Sequence, residues 1–341
     1  MQVATIIMHE DEKYFNEQIF QCGLQKMDSV IGEVLDNYVE RCETDAGTGG
    51  ITSGFKELDD CTDGWMPGDM IILSSFAGVG LTSFALNLAV NAHNAHHIPI
   101  LYFSMGQKAA DIGRRLLTIA ADLPTRAISR GEGLSPEELE QLEYVCKDLK
   151  DSPIFIDDTP RIEYNKLSKK IQEAMQENDI ALVIVDNINI MQPPAVYQGM
   201  REQEISAISR ELKFIARELN IPVIALAELS RHGRTRGYSS YANPHLEDLK
   251  ESSALEYDAD TIIFFCPDTE YLSEDSFDRC EIRLAKNRRG HTTDFDVKYD
   301  QLTGKVKEIE EVPLEYVDSR FNELDEPSDT TPVENPEDNE F

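Results

Sequence analysis

The chain has 341 residues, 41% of them hydrophobic and 28% charged, and a formal net charge of −32. The length suits one large domain with an appendage, and the apolar content supports a packed core. The charge excludes a protein that holds nucleic acid through a global positive field, so any such binding needs a local basic patch. Thirteen acidic residues against Arg320 alone fall in residues 308–341, a local charge of −12 that leaves −20 on the other 307 residues. The six cysteines, Cys22, Cys42, Cys61, Cys146, Cys266 and Cys280, form no C-x-x-C pair. They suggest neither a zinc nor a redox motif, and scattered thiols fit a reducing, cytoplasmic setting. Residues 1–8 are apolar but too few, and too poor in basic residues, for a signal peptide. No apolar run approaches the roughly 18 residues of a membrane span.

In chain order, residues 10–42 read as one amphipathic helix, with Phe20, Leu24, Met27, Ile31, Val34 and Tyr38 recurring at alternating spacings of four and three. Such a narrow stripe packs either on a partner surface or on its own core. Ala46-Gly47-Thr48-Gly49-Gly50 reads as a hinge after it, which favours the partner. From residue 51 the pattern becomes α/β. Strand-like runs at 70–74, 98–103, 154–156, 182–185, 223–226 and 261–265 alternate with helical stretches at 107–123, 136–149, 164–178 and 203–219. That alternation predicts a mostly parallel sheet with helices on both faces and ligands at the C-terminal ends of its strands. Residues 281–287 and 293–299 read as a hairpin, and the acidic, Pro-containing tail from 308 reads as disordered. The organisation expected is therefore a helix and hinge over 1–45, a motor-sized domain over 46–307 and a tail over 308–341.

The chemistry centres on Ser74-Ser75-Phe76-Ala77-Gly78-Val79-Gly80-Leu81-Thr82-Ser83, between a strand and a helix. The phosphate-loop pattern is G-x-x-x-x-G-K-[ST]. Gly80 and Thr82 fit it, whereas Ser75 stands at the first glycine and Leu81 at the lysine. The N–H groups of such a turn form an anion site, which gives Ser75, Gly78, Gly80, Leu81, Thr82 and Ser83 as candidate nucleotide contacts. The competing reading is an ordinary Gly-rich strand-to-helix turn. Leu182-Val183-Ile184-Val185-Asp186 is an apolar strand ending in a carboxylate. Asp186 either forms the turn or, with Thr82, holds Mg²⁺.

Taken in order, a longer set of segments resembles the motor domain of DnaB-type replicative DNA helicases, whose core is RecA-like. The segments are Ile51-Thr52-Ser53-Gly54-Phe55, Leu58-Asp59, Pro67-Gly68-Asp69, Ile156-Asp157-Asp158-Thr159-Pro160, Glu204-Ile205-Ser206 through Glu228-Leu229-Ser230-Arg231, Lys250-Glu251-Ser252-Ser253, Asp258-Ala259-Asp260, and Ala285-Lys286-Asn287-Arg288-Arg289-Gly290. The resemblance covers about residues 51–307. The helix ahead of it looks like the family's linker helix, which docks on a neighbouring subunit, and not like the family's N-terminal collar domain.

The resemblance implies an α/β, RecA-like P-loop fold and a hexameric ring that binds single-stranded DNA and hydrolyses ATP between subunits, with ATP or ADP and Mg²⁺ as ligands. It places the phosphate-loop lysine at Leu81, the water-activating glutamate at Gly106 and the glutamine sensor at Glu228. It keeps the magnesium positions at Thr82 and Asp186, and it keeps Lys286 and Arg288 as the pair that reaches the neighbour's γ-phosphate. Single-stranded DNA is expected at Arg231, Arg234 and Arg236 of a basic loop, for which a plain surface loop is the alternative, and at Lys250. Glycine cannot polarise a water, and removing one charge-stabilising group typically costs on the order of 10²–10³ in rate. The expectation is a family member with hydrolysis reduced or lost, assembling as a homo-oligomer or in a mixed ring with an intact helicase. A working helicase with an unorthodox site and a RecA-like scaffold without nucleic acid are the alternatives.

Overall fold

Short apolar runs and amphipathic helices build one twisted sheet between two layers of helices. The computed structural model describes residues 24–44, 48–131, 133–229, 244–249, 253–267 and 277–309. The strands are β1 (Met70–Ser75), β2 (Ile100–Ser104), β3 (Ile154–Asp157), β4 (Leu182–Asp186), β5 (Val223–Glu228), β6 (Thr261–Pro267), β7 (Phe277–Asn287), β8 (Thr293–Asp300) and β9 (Val306–Glu308). The helices are α1 (Met27–Thr44), α2 (Lys56–Thr62), α3 (Leu81–His96), α4 (Ala109–Ala121), α5 (Thr125–Arg130), α6 (Pro136–Asp151), α7 (Tyr164–Asn178), α8 (Arg201–Leu219) and α9 (Ser253–Asp258). The chain divides into two units, Met1–Glu308 and Ile309–Phe341, and all of these elements belong to the first. No helix among the described residues is long and apolar enough to cross a membrane.

The sheet order is β3-β2-β4-β5-β1-β6-β7-β8-β9. The first six positions pair in parallel and the last three strands add antiparallel, as the expected α/β alternation ending in a hairpin requires. Strands β1, β2 and β4 are buried along their whole length, because helices cover both faces of a parallel sheet. Alternate residues therefore feed two cores. Ile71, Leu73, Tyr102, Ile184, Ile224 and Leu226 join α3 and α4 on one face. Ile72, Phe103, Val183, Val185 and Ala225 join α7 and α8 on the other.

Several boundaries differ from the sequence expectation for identifiable reasons. β2 starts at Ile100 and not at residue 98, since Pro99 has no N–H to give to the ladder. α4 starts at Ala109, whose N–H donates to Asp158 Oδ2 at 2.9 Å, and stops where Asp122 turns left-handed at φ 53°. The expected helix over 10–42 begins at Met27. Residues 24–26 are not helical, and Asp28 in the first turn suits the positive end of the helix dipole. Residues 10–23, and Ala46 and Gly47 of the hinge, lie outside the described residues.

The stripe on α1 does not pack on its own core. Met27, Ile31, Val34 and Tyr38 are 69%, 49%, 57% and 64% exposed.

Candidate functional site

The carboxyl ends of the central strands collect Ser75, Ser104, Asp186 and Glu228, with Ser75 opposite Glu228 and Ser104 opposite Asp186 in the ladders. The turn after β1 carries the phosphate-loop residues. Gly78 and Gly80 take φ of 85° and 101°, which favours glycine at both. At Gly80 there is also no room, because a Cβ would lie 2.6 Å from the Tyr299 hydroxyl. Gly80 caps α3 without any side-chain hydrogen bond, so no side chain of the cap takes up the N–H groups of the first turn. Ser75, Leu81 and Ser83 are buried and turned into the body. What these three positions can offer an anion is main-chain N–H, and Leu81 brings core packing where a lysine would bring charge.

Thr82 and Asp186 meet as the sequence expected. Thr82 Oγ1 donates to Asp186 Oδ2 at 2.8 Å, and the Tyr102 hydroxyl donates to the same oxygen at 2.8 Å. Burial pushes the Asp186 carboxyl up, against the lowering effect of these two donors and of the Arg115 charge. Burial and the Asp186 charge push the Tyr102 phenol well above its usual range. A hydroxyl whose proton is already committed to a carboxylate keeps a lone pair for a cation. Magnesium needs only one or two protein ligands beside phosphate oxygens and waters, so the Thr82–Asp186 donor set fits it. No group of three or more His, Cys, Asp or Glu among the described residues forms a self-sufficient metal site.

Three side chains of this site were not read from the sequence. Tyr102 is one of them. Arg115 Nη1 lies 3.4 Å from Ser83 Oγ, and its charge is felt at Asp186, Tyr102 and Tyr299. Tyr299 is hydrogen-bonded to Ser83 and stands edge-on to Phe265 with ring centroids 5.5 Å apart. Arg115 had a legible signal: it shares a helix face with Ile112, Leu116 and Ile119, where a cation is out of place.

Gly106 follows β2 and offers no side chain. A Cβ there would meet only the tip of Ile190, at 3.2 Å. Glu228 is exposed at the end of β5. Its N–H donates to Asn189 Oδ1 at 2.9 Å, and its Oε1 accepts from Asn187 Nδ2 at 3.2 Å. The buried Asn187 Oδ1 has no partner among the described residues.

Lys286 and Arg288 lie at the opposite end of the sheet. Lys286 Nζ donates to Ala259 O at 2.6 Å and to Glu256 O. Arg288 donates to Asp260 Oδ1 at 2.9 Å and to Tyr257 O. Asp260 also accepts from Met70 N–H, at 2.8 Å, and from Lys213. Burial raises the Asp260 carboxyl, but the Lys213 and Met70 hydrogen bonds with the Lys213 and Arg288 charges outweigh it, and the group sits below its usual range. Burial and the Arg288 charge lower the Lys286 ammonium. Since Asp260 sits beside the first residue of β1 and the phosphate loop follows its last, the six residues of β1 separate the two places. At about 3.3 Å per residue that is roughly 17 Å or more. Arg231, Arg234, Arg236 and Lys250 lie outside the described residues.

Comparison with known proteins agrees with this architecture. The family model "DnaB-like helicase C terminal domain" matches residues 50–308. A probable replicative DNA helicase of Trieres chinensis is 36% identical over 74% of this chain and 55% of its own length. The replicative DNA helicase DnaB of Geobacillus stearothermophilus is 33% identical over 79% of this chain and 58% of its own. The chain thus spans little more than half the length of these two relatives. Among solved structures, one described as an ATPase domain superposes with a TM-score of 0.75 at 29% identity, covering 84% of this chain and all of that one. A DnaB-like replicative helicase described with its primase interactions gives 0.72 at 26%, covering 88% and 76%.

Proposed function

Because the chain belongs to the DnaB-like helicase C-terminal domain family, we propose that it is a replicative-helicase paralogue with a crippled hydrolytic site and an intact trans-acting pair. It takes ATP or ADP with Mg²⁺ at the loop spanning residues 75–83 and at Thr82 and Asp186, and it turns the nucleotide over slowly or not at all. It assembles in the cytoplasm as a ring, hexameric by the family resemblance, alone or mixed with an intact helicase. Single-stranded DNA meets Arg231, Arg234, Arg236 and Lys250.

The observation that carries this reading is the distribution of losses. The groups missing from the site, the lysine at Leu81 and the glutamate at Gly106, would act on the chain's own nucleotide. The groups kept, Lys286 and Arg288, sit at the other end of β1 and cannot serve that nucleotide. A second reading, a working helicase with an unorthodox site, draws on Arg115, a cation that reaches the first turn of α3.

An ATPase assay decides between them. The purified full chain, with or without single-stranded DNA, is expected to show little or no hydrolysis. Turnover of several per second, an ordinary enzyme rate, would sink the proposal. The double variant Leu81→Lys with Gly106→Glu is expected to gain activity over either single variant, since groups that act as a unit are non-additive.

A further inference from the structure

A buried tyrosine hydroxyl needs a polar partner, and Tyr102 has one. The residue lies in the middle of β2, 1% exposed, in a run of otherwise apolar residues, Ile100-Leu101-Tyr102-Phe103. It faces Ile184 across the β2–β4 ladder and sits diagonally from Asp186, within reach of a long side chain. Its hydroxyl donates to Asp186 Oδ2, the oxygen that also accepts from Thr82 Oγ1, both at 2.8 Å. Phenylalanine would fill the same space in the core. Among the described residues, the hydroxyl adds the bond to Asp186.

We propose that Tyr102 is a positioning residue for the magnesium site, fixing the Asp186 carboxylate so that Oδ2 takes the Thr82 proton and Oδ1 is left for the metal's water shell. The proposal rests on the reading of Thr82 and Asp186 as the magnesium positions. Two donors on one oxygen define the rotation of the carboxylate, whereas Thr82 alone, on a first-turn hydroxyl that must also face the cation, leaves it free to turn. Removing a group that orients a ligand from behind typically costs about 10–100-fold in metal affinity. With no lysine at position 81, the metal is a principal source of positive charge at the phosphates, so a weakened metal shows directly as weakened nucleotide.

The test uses the full chain and a fluorescent ATP analogue, titrated in EDTA and across a Mg²⁺ series. Tyr102→Phe keeps the ring and the packing, and Thr82→Ala serves as the variant without a metal hydroxyl. The expected result is that Tyr102→Phe binds the analogue in EDTA as wild type does but needs about tenfold or more Mg²⁺ to reach half of its metal-dependent gain. Thr82→Ala is expected to lose that gain. Equal Mg²⁺ midpoints for wild type and Tyr102→Phe overturn the proposal and leave the nucleotide site standing. A wild type that binds in EDTA and gains nothing from Mg²⁺ also overturns it, since there is then no metal to orient for. Absence of binding under every condition removes the nucleotide reading, and the role of Tyr102 falls with it.

Discussion

Under the proposed function Leu81 and Gly106 stand where a lysine and a glutamate would act, and the structure makes one replacement far easier to reverse than the other. Leu81 is 9% exposed and belongs to the core formed by α3, α4 and the sheet. Lysine there gives up the burial of a leucine, worth about 1.5–3 kcal/mol, and recovers part of it through its aliphatic stem. Gly106 has ordinary backbone geometry and only the flexible end of Ile190 in the way. Leu81→Lys alone is therefore expected to lower stability by about 1–3 kcal/mol, and Gly106→Glu to leave it within about 0.5 kcal/mol. Urea denaturation of the two single variants checks this. A Leu81→Lys variant as stable as wild type would mean that the side chain is not held in the core. At this scale the sequence was informative where a spacing implies a role. Thr82 and Asp186 were legible as partners because a phosphate loop and a strand-ending acid have a known relation. Tyr102 and Tyr299 were not, since a tyrosine in a strand looks the same whether its hydroxyl meets a polar side chain or solvent. Only the register of β2 against β4, and the approach of Tyr299 to the loop at Gly80, decides it.

Elements were legible in proportion to their length and periodicity. α7 matches its expected span, and α6 and α8 come within two residues, because each presents several turns of amphipathic pattern. α2, α5 and α9 are six or seven residues long. Two turns of helix carry too few repeats to stand out from a loop. β9 has three residues and, among the described strands, pairs with β8 alone, so nothing within it announces a strand.

α1 was legible as a stripe, and the structure removes its intramolecular alternative, since four of its apolar side chains are about half exposed or more. An apolar stripe of that kind on a helix is ordinarily covered by a partner. Deleting residues 1–45 is expected to lower the oligomeric mass seen by light scattering without lowering the melting temperature of the body. If the truncated chain assembles like the full one, α1 is not the assembly element. A fall in melting temperature would mean that the helix belongs to the core after all.

At the scale of the whole molecule, the parallel sheet sets a direction. Its carboxyl ends hold the loop after β1 with Thr82 and Asp186, and its amino ends hold Asp260 with Arg288. Under the proposed function, a subunit of this kind receives a neighbour's arginine at the first end and supplies its own from the second, so that the two ends can be damaged independently. On that reading, inserting this chain into a closed ring of intact helicase subunits is expected to silence the site it carries and to spare the one it faces. Arg288→Ala silences both, because an arginine supplied from a neighbour can account for about 10³–10⁵ in turnover. The dilution curve reports the difference. As a small fraction of this chain is mixed in, the ATPase rate should fall in proportion to the fraction added, and about twice as steeply for Arg288→Ala. Coincident curves, or curves that collapse at the first additions for both versions, would mean that the two ends do not act separately. The polarity of a β-sheet, fixed by chain topology, would thereby appear as the slope of a titration.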